Sequence, residues 1–144
     1  MEEPYLVPLR EIAVPNGNVY HALKSSEDGY INFGELYFSR IEMGKIKGWK
    51  RHNLCTLNLI VVEGVVSFIV ASDDFLEGNG ESYRKEFTIG PKVNYKRLVV
   101  PPGYWMAFKG VGAGENIIAN VIDKEHDPEE SDSRSFIDCD WNNI

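Results

Sequence analysis

Hydrophobic and polar positions alternate along this chain in short stretches, and turn-forming residues interrupt them before any helical stripe develops. Val19–Leu23, Gly34–Ile41, Leu57–Val62, Val65–Ala71, Tyr83–Ile89, Arg97–Val100, Trp105–Lys109 and Asn116–Ile122 are rich in β-branched and aromatic residues, with Gly, Pro, Asn and Asp between them. That composition predicts strands. No segment keeps apolar residues at i, i+3, i+4 and i+7 over three turns, so helix contributes little. Short strands at this spacing predict an all-β sandwich or barrel. Only Glu63-Gly64 separates two of them, which predicts a tight hairpin.

Leu57–Val62 is apolar almost continuously, so this strand is expected to be covered on both faces. In a chain this small the second cover is expected from another subunit, an argument for a homodimer. Asp73–Ser82 is polar and contains glycine, and Asp127–Ser135 is acidic and serine-rich; both read as solvated loops, the first mobile. Gly110-Val-Gly-Ala-Gly114 neither follows a buried parallel strand nor opens a helix, so it predicts a hairpin turn and not a nucleotide-binding loop.

Composition narrows the class. The 144 residues are one domain's worth, 1–144, with 43% hydrophobic and 26% charged residues, enough for a real core. A net charge of −7 argues against a nucleic-acid partner, because phosphate contacts need a basic face. No apolar run approaches the roughly 20 residues that span a bilayer, so no membrane association is expected. Met-Glu-Glu-Pro at the start lacks the basic and apolar regions of a signal peptide, which predicts a cytoplasmic protein. Cys55 and Cys139 lie far apart and are expected to be reduced.

Two segments carry more than composition. Gly44, Lys50, His52, Leu57 and Gly64 keep the spacing of the first cupin motif, Gly-x5-His-x-His-x4-Glu-x6-Gly. Pro101-Pro-Gly103-Tyr-Trp-Met106 resembles the second, Pro-x-Gly-x-x-His. The four metal-binding positions hold Lys50, His52, Leu57 and Met106. An ammonium repels a cation and leucine has no lone pair, so neither a metal nor any other cofactor is expected.

The residues between these landmarks resemble dTDP-4-dehydrorhamnose 3,5-epimerases. Phe38-Ser-Arg-Ile-Glu-Met-Gly-Lys-Ile-Lys47-Gly-Trp-Lys50 is similar to their Ser-x-Ser-x-x-Gly-Val-Leu-Arg-Gly-Leu-His. Asn94 to Phe108 is similar to Asn-x-x-x-Leu-x-Ile-Pro-x-Gly-Phe-Ala-His-Gly-Phe, and Val121 to Glu129 to Thr-Asp-Tyr-Tyr-x-Pro-Glu with one residue extra. Asp140-Trp141-Asn142 is similar to the Trp-Asn-Asp-Pro that follows. The resemblance covers roughly residues 34 to 142 and implies a cupin-type double-stranded β-helix, or jelly-roll barrel. Related 3,4-ketoisomerases share the His-x-His spacing, with His52 at their second histidine.

Family members epimerise a nucleotide-linked keto sugar in surface-polysaccharide biosynthesis, and a homodimer binding such a small molecule is the implied assembly. Their chemistry needs a base near neutral pH, an acid across the ring, and positive charge for enolate and diphosphate. Here Lys47 stands for the family's arginine, without the bidentate fork, and Lys50 for its catalytic histidine. Leu57 takes the place of a lysine, Lys124 or Glu125 that of the tyrosine, and the histidine's acidic partner is expected to be absent.

His52 and Lys50 are therefore the candidate catalytic residues, two apart and on one face of a strand. Lys50 reads as a base, as an anion binder, or as a structural lysine at the barrel mouth. A lysine neighbour suits His52 to act as a neutral base, and a plain core histidine is the alternative. Lys47, Trp49, Tyr104 and Trp105 are the candidate substrate-binding residues, the aromatics against the sugar. His126 is expected to be exposed, and Met106 to be filler. The function expected is an epimerase or isomerase of a nucleotide-linked keto sugar; the alternatives are a non-catalytic nucleotide-sugar-binding cupin and a structural module.

Overall fold

The computed structural model describes residues 2–78 and 82–135. Cys139 and Asp140–Asn142, read above from sequence, lie outside the described residues. The chain forms β1 (Tyr5–Pro8), β2 (Glu11–Ile12), β3 (Val19–Tyr20), β4 (Glu35–Arg40), β5 (Ile46–His52), β6 (Leu57–Glu63) and β7 (Val66–Ala71). A short helix α1 (Asp73–Glu77) precedes β8 (Arg84–Ile89), β9 (Lys96–Val100), β10 (Trp105–Gly110) and β11 (Ile117–Ile122). A 3₁₀ turn at Pro128–Glu130 leads into β12 (Ser131–Arg134).

Two five-stranded antiparallel sheets face each other, ordered β1-β9-β6-β11-β4 and β12-β5-β10-β7-β8, and β2 and β3 form a separate ribbon. This is the jelly-roll architecture that the cupin spacing implied. Leu57, Leu59, Val61, Val66, Phe68, Val70, Leu98, Val100, Ile118 and Ile122 interdigitate between the sheets. Burying each such side chain contributes about 1.5–3 kcal/mol.

Three sequence expectations are corrected. Residues 57–62 and 65–71 are not a hairpin: β6 pairs with β9 and β11, whereas β7 pairs with β8 and β10. The turn between them crosses from one sheet to the other, because Val61 and Val66 both point into the shared core. Gly64 has φ +82° there, and a Cβ on it would collide with Asn116. Fully buried Asn116 ties this corner together, accepting from the amides of Val65 (2.9 Å) and Gly112 (3.1 Å) and donating to the carbonyl of Ile41 (3.1 Å). Gly110–Gly114 is likewise not the hairpin turn its glycines predict: β10 pairs with β5 and β7 and β11 with β4 and β6, so this turn also crosses between the sheets.

The second correction concerns the cover on β6. Its outward Asn58 and Ile60 are buried within this one chain. The stretch from Ala22 to Gly29 covers this face at Asn58 and at Arg97 of the neighbouring β9: Asn58 donates to the Gly29 carbonyl at 2.9 Å, and fully buried Arg97 donates to the carbonyls of Ala22 (3.0 Å) and Asp28 (3.1 Å). No second subunit is needed to explain that strand.

The third concerns both proposed loops. Asp73–Glu77 is helical, capped by the Ser72 hydroxyl at one end and by Gly78 at φ 74° at the other, satisfying amides and carbonyls left free at helix ends. Asp127–Ser135 is largely exposed, as expected, but it is not a mere connection, since β12 pairs with β5 and Glu130 is buried.

Candidate functional site

Alternation along β5 sends Gly48, Lys50 and His52 toward the space between the sheets and Trp49 and Arg51 outward. The register with β10 slips between Met106 and Phe108, so that Met106 faces Lys50 while Phe108 faces Lys47. One extra residue of β5 is accommodated there, a β-bulge that turns Lys47 to the same side as Lys50. All of Lys47, Gly48, Lys50 and His52 consequently line a cavity of about 250 Å³.

The opposite wall comes from the other sheet. Tyr37 and Ser39 on β4 and Asn120 on β11 supply polar groups, and Leu57, Leu59, Met106, Phe108 and Ile118 make the floor apolar. Tyr37 accepts from Asn120 Nδ2 at 2.9 Å. Burial raises the Tyr37 pKa, so its hydroxyl stays protonated and able to donate at neutral pH.

His52 is buried, and its Nδ1 is hydrogen-bonded to Glu130 Oε1, whose carboxylate is equally enclosed. The other oxygen of Glu130 accepts from the amides of Asn53, Leu54 and Cys55 at 3.1, 3.1 and 3.3 Å. Burial alone would raise the Glu130 pKa, but hydrogen bonds from Leu54, His52 and Cys55 outweigh it and keep it below the ordinary carboxylate range. Burial is the largest influence on His52 and lowers its pKa; Glu130 opposes that shift, while Lys50 and His126 reinforce it. The imidazole is therefore neutral at pH 7. With Nδ1–H donating to the Glu130 carboxylate, Nε2 carries the free lone pair.

The sequence offered no acidic partner for His52; the structure supplies Glu130, from a segment read as loop. No apolar periodicity marks that stretch, and only the pairing of β12 with β5 brings it to His52. Tyr37 was also missed, for a different reason. In Glu35-Leu36-Tyr37-Phe38-Ser39-Arg40 the apolar set is Leu36 and Phe38, yet they face outward, 48% and 66% exposed, while Tyr37 and Ser39 face the cavity.

The Lys50 ammonium makes no hydrogen bond or ion pair to any described residue, and Lys50 borders both the inner cavity and a shallower one lined by Glu35, Tyr37 and exposed His126. The ammonium of Lys47 donates to Ser39 Oγ (3.0 Å) and the Arg40 carbonyl (2.7 Å). Lys47 also borders a larger groove of about 560 Å³ with Arg40, Glu42, Lys45 and Glu115. The aromatic candidates sit elsewhere. Trp49 and Trp105 are buried on the outer side of β5 and β10 against Ile69, Ala107, Phe75 and Leu76, and Tyr104 is buried in the core with its ring against Tyr83. None of the three lines the cavity. Met106, expected as filler, forms part of its floor.

His52, Cys55 and Glu130 bring ligand-type atoms within 4.8 Å of one another. Both Glu130 oxygens are already engaged by N–H donors, and burial pushes the Cys55 thiol up to about 11. That is a hydrogen-bonded network and not a thiolate-containing metal cage.

Comparison with protein-family models and with curated proteins gives no match. Among solved structures, a dTDP sugar isomerase from Desulfovibrio desulfuricans G20 is 30% identical, with a TM-score of 0.83, covering 93% of this chain and 85% of that one. The sugar 3,4-ketoisomerase QdtA of Thermoanaerobacterium thermosaccharolyticum, solved with TDP, is 14% identical with a TM-score of 0.74 over 92% of this chain and 88% of that one. A dTDP-4-dehydrorhamnose 3,5-epimerase of Bacillus anthracis, solved with TDP and PPi, is 16% identical with a TM-score of 0.76 over 94% and 80%. These last two share the fold. No described helix is long and apolar enough to cross a membrane.

Proposed function

The chain belongs to the dTDP-sugar isomerase and epimerase family of cupins, and from that premise we propose that it moves a proton beside the ketone of a nucleotide-linked keto sugar, with His52 as the base. One observation carries the reading: a neutral, buried imidazole with Nδ1 fixed by Glu130 lines a cavity that also holds the unpaired ammonium of Lys50.

In the proposed step the C–H bond next to the ketone breaks and its proton passes to Nε2 of His52. The bonding pair moves into an enolate, whose oxygen is stabilised by Lys50. For isomerisation, the hydroxyl proton on the deprotonated carbon passes to the former ketone oxygen and His52 returns its proton to the former carbonyl carbon, so that the ketone moves one position. Delivery of a proton from the Tyr37 hydroxyl on the opposite wall gives an epimer. Lys47, with Lys45 and Arg40 in the outer groove, supplies positive charge for the diphosphate.

Incubation with dTDP-4-keto-6-deoxyglucose and its other-nucleotide counterparts in deuterated water tests this reading. Deuterium entering C3 or C5 supports it. Binding without exchange of any of these sugars would replace it with the non-catalytic binding reading.

We also propose that two copies associate through the outer face of β4. Leu36 and Phe38 are exposed there, and Ile31 and Phe33, just before the strand, are 63% and 60% exposed. A cluster of this kind on a small domain marks an interaction surface.

A further inference from the structure

We propose that Arg51 is a positioning residue for the base: its guanidinium ties β12 to β5 and so seats Glu130 on Nδ1 of His52. The inference rests on the His52 reading for its effect on turnover, although the placement itself is measurable without a substrate.

β12 has nothing hydrophobic to hold it. Its sequence is Ser-Asp-Ser-Arg, and among the described residues it lies at the edge of its sheet with β5 as its one strand partner, Ser131 opposite His52 and Asp132 opposite Arg51. A short polar edge strand of this kind frays unless something pins it. The pin is Asp132, which accepts from Arg51 Nη2 at 2.6 Å and from Asn53 Nδ2 at 3.0 Å. Asn53 and Arg51 hold its pKa below the ordinary carboxylate range. An outer tie, Arg134 to the Leu76 carbonyl at 3.4 Å, is longer and exposed.

Arg51 is itself immobilised. Its Nη1 donates to both carboxylate oxygens of Asp73 at 2.6 Å, its guanidinium lies 4.7 Å from the Trp105 ring centre, and Trp105 Nε1 donates to Asp73 Oδ1 at 2.5 Å. One guanidinium thus joins α1, β10 and β12 to β5. A planar fork can satisfy two carboxylates while stacking on an indole, which a lysine cannot do. Isolated surface ion pairs contribute little, but shared networks with fixed geometry are the exception. Arg51 also sits between Lys50 and His52 with its side chain on the opposite face of β5. The residue that fixes the base's partner is therefore adjacent in sequence and outside the cavity.

Nitrogen–proton correlation spectra of the imidazoles test the proposal, since the chain has 3 histidines. In the wild type His52 is expected as a single Nδ1–H tautomer with a low-field proton shared with Glu130. Arg51→Met and Asp132→Ala are each expected to lose that proton and to show mixed tautomers, matching a Glu130→Gln reference. Arg51→Lys is expected to give an intermediate spectrum. The other groups facing His52, namely Lys50, His126 and Cys55, are unchanged in these variants. If both variants remain folded and keep the single Nδ1–H signature, the proposal is overturned. Should Arg51→Met fail to fold, Asp132→Ala decides, because Asp132 is 46% exposed and its side chain contacts Arg51 and Asn53 alone among the described hydrogen bonds. Failure of deuterium exchange in the wild type would remove the catalytic reading and leave the tautomer result standing.

Discussion

Glu130 holds Nδ1 of His52 with one carboxylate oxygen and the amides of residues 53–55 with the other. The carboxylate is thereby fixed from two sides, and the imidazole can present only Nε2 to the cavity. Replacing Glu130 by Gln should slow deuterium exchange about 10²–10⁴-fold, the usual contribution of a positioned general base. A variant exchanging at the wild-type rate would mean that His52 does not act through this pair.

The same pair sets a pH dependence of stability. Both groups have depressed pKa values in the folded protein, against ordinary values of 6.5 for His52 and 4.5 for Glu130. The unfolded chain therefore binds protons first as pH falls, and stability drops through these windows. Unfolding by urea should show a decline beginning below about pH 6.5, as set by the ordinary histidine value, and a second beginning near the ordinary glutamate value. His52→Asn should flatten the upper decline; an unchanged profile would place the titration elsewhere.

Lys50 separates function from stability. Its ammonium has no partner among the described residues, so Lys50→Met should change the folding free energy by no more than about 0.5 kcal/mol. Loss of the enolate's positive neighbour should nevertheless slow exchange about 10²–10³-fold. A large drop in melting temperature with unchanged exchange would reverse that assignment.

Tyr37→Phe distinguishes the two fates of the enolate. Washout of label from the substrate should persist, because His52 remains, while formation of an epimer should fall about 10²-fold or more. Equal loss of both would make Tyr37 a binding group and not the second proton donor.

The proposed pairing of two copies through β4 predicts a dimeric mass for the wild type in light scattering and a monomeric mass for Phe38→Glu. A wild-type protein already monomeric at micromolar concentration would remove the interface proposal.

Much of the architecture was legible in the chain, because short apolar strands and glycine-punctuated turns are local properties. Spacing alone carried Lys50 and His52 to one face of β5. Sheet membership was less accessible: the Glu63-Gly64 turn looks the same locally whether the next strand pairs with the last or crosses to the facing sheet. β4 was misleading in the opposite way, since burial of apolar residues predicts Leu36 and Phe38 inside. They are outside because the alternate positions, Tyr37 and Ser39, face inward and form the polar wall of the cavity.

The sequence by itself determined an all-β barrel with His52 and Lys50 on one strand face, since residue identity and two-residue periodicity are enough for that. Only the tertiary structure decided that His52 has an acid beside it. Glu130 lies 78 positions away, on a segment with no hydrophobic pattern, and long-range strand pairing brings the two together. The bulge in β5 that turns Lys47 inward was equally hidden, because it exists only in the register between β5 and β10.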